Sequence, residues 1–99
     1  MKIFFTPEAD EQAEFCDTWW REHRQATADL FARELAEAKA LMMRVPNVGS
    51  LYTVLNGKPV RRVLLKKTDN HVYYVFDRER GRITVHSVWS ARKERGPKL

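Results

Sequence analysis

A single cysteine, four glycines and four prolines among 99 residues exclude several readings at once. Cys16 has no partner for an internal disulfide, so nothing in the chain calls for an oxidising compartment. The few glycines are scattered, which excludes a glycine-rich phosphate loop or a dinucleotide fingerprint. The three histidines and the lone cysteine show no metal-ligand spacing, so neither a metal nor a cofactor is expected. Long apolar runs are missing too: none approaches the roughly 18 residues that a bilayer-spanning helix needs. Met1-Lys2-Ile3-Phe4-Phe5 turns acidic and proline-containing too soon to form the core of a signal peptide. The expectation is a soluble cytoplasmic protein with no membrane partner.

What the chain does contain is charge, and it is unevenly placed. Residues 58–99 hold 12 Lys+Arg against 4 Asp+Glu, a balance of +8, whereas residues 1–57 hold 6 against 9, a balance of −3. Surface cations alone solubilise any small protein. A separation of this size instead gives one half of the molecule a persistent positive field, suited to a polyanion or an acidic partner. Hydrophobic content of 43% with 11% aromatic argues against disorder. The length suits one domain, residues 1–99, with a modest core and no large internal cavity.

Lys2–Phe5 reads as a short apolar strand. Thr6 then suits a helix N-cap and Pro7 the first helical position, with Glu8, Asp10 and Glu11 on the first turns where the dipole favours negative charge. Ala9, Ala13, Cys16 and Trp20, widened by Phe15 and Trp19, mark an amphipathic helix ending near Glu22 or His23. Leu30, Phe31, Leu35, Ala38, Leu41 and Met42 define a second helix that stops before Pro46. Their short connection implies an antiparallel helical hairpin. Residues 47–59, rich in Asn, Gly and Pro, read as the one substantial loop. Val60–Lys67, His71–Phe76 and Arg82–Trp89 follow as strands, separated by turns at Thr68-Asp69-Asn70 and Arg78–Gly81. The remainder, residues 90–99, is a basic tail with no buried pattern. The expected fold is α+β: an N-terminal strand and helical hairpin packed on a mainly antiparallel sheet.

Side chains alternate across a strand, so register decides which residues share a face. A regular hairpin closed by Arg78–Gly81 sets Asp77 opposite Arg82, Val75 opposite Thr84, Tyr73 opposite His86 and His71 opposite Val88. The more apolar side, with Val72, Tyr74, Phe76, Ile83 and Val85, would meet the helices. The open side would carry His71, Tyr73 and His86, joined by Arg62 and Lys66. Arg or Lys there would neutralise a phosphate, and His or Tyr would move protons near neutral pH. An antiparallel sheet also clothes its solvent face in polar residues with no function attached, and each residue alone fits that plainer account. His23 near a helix C-terminus and Cys16 on an apolar stripe need no functional explanation.

The strands, taken together, resemble the RelE/ParE toxin superfamily. The residues that carry the likeness are Phe5-Thr6-Pro7-Glu8-Ala9, Val45-Pro46-Asn47-Val48-Gly49, Val60–Leu65, His71–Val75 and Ile83–Trp89. The ending Trp89–Leu99 is similar to a branch often labelled plasmid-stabilisation proteins. The resemblance implies the toxin of a bacterial type II toxin–antitoxin system that arrests growth. It also implies a cognate acidic antitoxin as partner, in a heterooligomer or beside a homodimer.

Two targets follow from the same resemblance. RelE-like members cleave mRNA on the ribosome through basic and proton-transferring residues on the sheet; ParE-like members poison DNA gyrase without that set. Arg61 or Arg62 falls at a basic position common to both branches. His71 stands where RelE-like relatives often carry an arginine. Trp89-Ser90-Ala91 stands where many ribonuclease members carry a Tyr or a His-Tyr pair. A ribonuclease would use His86 or His71, with Tyr73, as acid and base. In either branch Arg61, Arg62, Lys66, Arg82, Arg92, Lys93 and Arg95 would contact the target or its phosphates. The missing terminal tyrosine inclines the reading towards the gyrase-poisoning branch, with the ribonuclease as alternative. A small nucleic-acid-binding module without toxicity is a third reading.

Overall fold

Thr6 starts the first helix as its sequence requires: its Oγ1 accepts a hydrogen bond from the Ala9 amide at 3.1 Å. The structure, a computed structural model, describes every residue from Met1 to Leu99. Strand β1 (Lys2–Phe5) leads into α1 (Pro7–His23); a 3₁₀ turn at Gln25–Thr27 separates it from α2 (Leu30–Arg44). Strands β2 (Ser50–Leu55), β3 (Lys58–Leu65), β4 (Asn70–Asp77) and β5 (Arg82–Ser90) follow. They form one five-stranded sheet in the order β1-β5-β4-β3-β2, with β1 parallel to β5 and every other pair antiparallel. The α+β architecture expected from the sequence is the one observed.

The segment 47–59 is not one loop. Ser50–Leu55 forms β2 against β3, and Asn56-Gly57 is a two-residue hairpin turn with φ of 51° and 77°. Asn-Gly accepts two consecutive positive φ values and is a strong short-range hairpin signal. Leu51, Tyr52, Thr53 and Val54 before it suit a strand. The density of turn residues on either side masked both features.

The helices cover one side of the sheet, α1 lying mainly over β5 and α2 over β3 and β1. Ala9, Ala13, Phe31, Ala38 and Met42 meet Leu65, Val72, Tyr74, Ile83, Val85 and Val88 there, with Trp20, Cys16, Phe5 and Leu35 at the margin. Burying each large apolar side chain stabilises the fold by roughly 1.5–3 kcal/mol. Phe15 departs from the expected stripe and is 72% exposed. It lies about 100° around the helix from Cys16, beyond the reach of the sheet. No helix is long and apolar enough to cross a membrane.

Two polar ties hold the loops. The Glu34 carboxylate on α2 accepts from the Lys67 and Thr68 amides at 2.6 and 3.0 Å, and from the Thr68 hydroxyl at 2.6 Å. This fixes the β3–β4 turn beneath the hairpin. On the other tie, the Tyr74 hydroxyl donates to the Pro46 carbonyl at 2.7 Å and accepts from the Gly49 amide at 2.9 Å. A Cβ on Gly49 would sit 2.9 Å from the Tyr74 ring, so only glycine fits so close to it.

Candidate functional site

Between β4 and β5 the ladder is regular from Asp77↔Arg82 to Tyr74↔Val85, and then shifts. Tyr73 lies opposite Ser87, Val72 opposite Val88 and His71 opposite Trp89. His86 is the extra residue of a β-bulge. The expected pairs Tyr73–His86 and His71–Val88 are therefore corrected by one residue. Tyr73, Val75 and Asp77 still stand on the side away from the helices, with Arg62, Val60, Thr84 and His86. Past the bulge Trp89 joins them, while Val88 packs into the helical core and the Ser87 hydroxyl bonds Gln12 of α1 at 3.0 Å.

This far side is not the polar open surface that alternation predicts. Val60, Tyr73 and Val75 are buried there as a second small cluster, with Leu55 and Trp89 packed around them. Tyr52 of β2 lies edge-on to Tyr73, ring centres 4.8 Å apart. The Arg62 guanidinium sits 5.2 Å over the Tyr52 ring and reaches the Tyr73 hydroxyl at 3.4 Å. His71 meets the Tyr73 ring edge at 5.9 Å. Burial, then the nearby Arg62 charge, lower the His71 pKa below 6.5, against a smaller opposing pull from Asp69. One compact cluster thus gathers Arg62, His71 and Tyr73 with Tyr52, which the sequence reading left in a loop.

His86 opens into a different cleft, lined by Asn56, Lys58, Val75, Asp77, Arg80, Arg82 and Thr84 at the far end of the same side. Asp77 is the anchor: its carboxylate takes Lys58 at 2.7 Å and Arg80 at 3.8 Å. The Lys58 hydrogen bond and then the Arg80 amide hold the Asp77 carboxyl below its usual pKa of 3.8. Arg82 lies 5.7 Å from the Phe4 ring. Burial alone lowers the His86 pKa below 6.5. Three cations against one carboxylate leave the cleft positive, with a neutral imidazole at its wall. Lys58 and Arg80 were not singled out in the sequence; the Asn-Gly turn that aims Lys58 was the available signal.

The remaining predicted residues scatter. Arg61 points to the opposite side from Arg62 and donates to the Gly49 carbonyl at 3.0 Å, so its place is in the loop that Tyr74 also holds. Lys66 lies past the end of β3, in the turn, and does not join the face. Arg92 pairs with Asp69 at 2.6 Å, and the Lys93 ammonium lies 4.1 Å over the Trp89 ring. Arg95 contributes its carbonyl, which accepts from Trp89 Nε1 at 2.8 Å. These contacts bring the tail back over the sheet rather than leaving it loose. Gly96 abuts the Tyr52 hydroxyl so closely that a Cβ would overlap it, and Pro97 and Leu99 reach β2. Cys16 is half-buried with its pKa raised by burial, which suits a packing residue.

General acid–base cleavage of a phosphodiester needs a base, an acid and positive charge converging on one phosphate. Here Arg62 is engaged with Tyr73, and His86 is associated with a separate cationic cleft.

No protein-family model matches the chain, and no curated protein matches it. Among solved structures the fold recurs. A chain described as "Chromosomal ParDE TA system from P. aeruginosa" aligns with a TM-score of 0.68 at 15% identity. The alignment covers 93% of this chain and 97% of that one.

Proposed function

We propose that this chain is the toxin of a type II toxin–antitoxin system and acts by binding a protein target, DNA gyrase, rather than by cutting mRNA. Its natural counterpart is an acidic antitoxin, matched to the +8 balance of residues 58–99. The fold shared with a chain of a ParDE system supports the class. The observation that carries the choice of target is the engagement of Arg62 with Tyr73 beneath Tyr52, while His86 lines a different cleft. His71 does share a cluster with Arg62 and Tyr73, but Tyr73 is buried there with its hydroxyl taken by Arg62, which leaves it poorly placed to pass a proton to a phosphate. The basic cleft and the folded-back tail provide the recognition surface.

Induced expression tests the proposal directly. Arrest is expected, relieved by co-expression of the neighbouring acidic reading frame. The purified protein is expected to inhibit gyrase supercoiling and to leave ribosome-bound mRNA uncut by primer extension. Codon-positioned mRNA cuts with unimpaired gyrase would reverse the choice of target. Salt-sensitive nucleic-acid binding without arrest would replace the toxin reading altogether.

A further inference from the structure

The cleft beside His86 holds donors that the protein itself does not use. Arg82, Thr84 and His86 line it from one strand, β5, and all three are partly buried. Lys58 and Arg80 are engaged with Asp77, whereas Arg82 forms no ion pair. The Thr84 hydroxyl and the His86 imidazole likewise have no partner within the protein. The contact of His86 with the start of α1 is made by its carbonyl, which accepts from Thr6 Oγ1 at 3.5 Å. A partly desolvated guanidinium gains most from an anionic partner.

Arg82 and Thr84 stand two residues apart on one side of the sheet, and the bulge leaves His86 in the same cleft. A guanidinium fork, a hydroxyl and an imidazole N–H thus border one space of about 290 Å³, with the Lys58 ammonium also in its wall. The fork alone satisfies a planar carboxylate, whereas a tetrahedral phosphate has oxygens for all of these donors. Lys2 and Phe4 of β1 adjoin the cleft, opposing Arg82 and Thr84 in the parallel ladder. Phe4 is 46% exposed, with the Arg82 guanidinium 5.7 Å from its ring centre. Because β1 ends the sheet, no further strand covers that ring. An exposed aromatic ring beside a cationic groove is the combination that receives a base and its phosphate.

We propose that this cleft is a nucleotide subsite, in which Arg82, Thr84 and His86 hold a phosphate group while the base lies against Phe4. A free nucleotide and the phosphorylated end of a strand offer the same chemistry. The site is separate from the Arg62–Tyr73 cluster and does not rest on the toxin reading. Growth arrest without nucleotide binding would sink this inference alone; nucleotide binding without arrest would sink the toxin reading alone.

NMR titration of the isotope-labelled full chain with adenosine monophosphate, adenosine and inorganic phosphate, at constant ionic strength, tests the proposal. Amide shifts are expected at Phe4, at Lys58 and from Arg82 to His86, with adenosine binding about tenfold or more weakly than its monophosphate. Arg82→Gln should weaken the nucleotide and inorganic phosphate alike, by about tenfold. Phe4→Ala should weaken the nucleotide but not inorganic phosphate, a split that surface charge alone does not produce. Thr84→Val, which keeps charge and shape, should weaken both, and each variant's dispersed spectrum reports that it folds. A short strand that binds more tightly than the mononucleotide only when its end is phosphorylated identifies a strand end as the ligand; otherwise the ligand is the free nucleotide, and either result supports the site. Equal binding of adenosine, shifts centred on Arg92–Lys98, or unchanged affinity in folded Arg82→Gln overturns the proposal. So does displacement of the nucleotide by polyglutamate at the same ionic strength, which would make the cleft a seat for an acidic protein segment.

Discussion

Tyr73 and Ser87 oppose each other across β4 and β5, leaving His86 as the unpaired residue of the bulge. That one-residue shift turns Trp89 towards Tyr73 and Val88 towards the helices. It also leaves His86 with the Lys58–Arg82 cleft. The consequences are testable one by one.

Substitution of the candidate proton-transfer residues separates the two targets. On the protein-binding reading, His71→Ala and His86→Ala retain growth arrest, because neither imidazole performs chemistry. A ribonuclease using either would lose arrest in that variant while still binding antitoxin, measured by induced expression and co-purification.

The tail is a packed element, so removing it has two effects. Deleting residues 92–99 should abolish arrest if the tail contributes to target recognition; an unchanged phenotype removes it from the recognition surface. Gly96→Val, which overlaps the Tyr52 hydroxyl, should displace the tail without truncation. Faster proteolytic clipping after Ala91 and a red-shifted tryptophan emission from Trp89 would report the release.

Tyr74→Phe removes the hydroxyl that ties Pro46 to Gly49. The Gly49 amide loses its acceptor, and the expected cost is about 1–3 kcal/mol, read as a lower denaturation midpoint at unchanged m-value. Tyr73→Phe loses one long contact to Arg62 and should cost less.

Stability should depend on mildly acidic pH through two histidines. His71 and His86 both have folded pKa values lowered from 6.5 by burial, so the unfolded chain binds more protons in that range. Their contribution is present above about pH 6.5 and is lost as pH falls through the lowered folded values. Thermal melts in the double variant His71→Gln/His86→Gln should show a flatter decline below that pH than the wild type. An identical slope would assign the decline to the carboxylates instead, Asp77 among them.

Much of this was legible in the sequence because it is local. Thr6-Pro7 and the acidic first turn predict the start of α1, and 3.6-residue periodicity predicts both helices. Runs of Val, Tyr and Ile predict β3, β4 and β5. Charge counting alone predicts which half is basic. The candidate face was only partly legible, since face membership depends on alternation and a single bulge inverts it. Alternation gave Arg62, His71 and Tyr73 one side correctly, but it paired Tyr73 with the wrong neighbour. Arg61 and Arg62 look interchangeable in sequence, yet one holds the Gly49 loop and the other covers Tyr52.

The sequence by itself determined the α+β composition, the helical hairpin and the concentration of positive charge in the second half, all set by short-range propensity and counting. Tertiary structure alone decided that the far side of the sheet is a second apolar cluster and that the tail returns to it. It also separated His86 from the Arg62–Tyr73 pair. Each of those depends on contacts between residues distant in the chain, where burial and the bulge, rather than local preference, set the outcome.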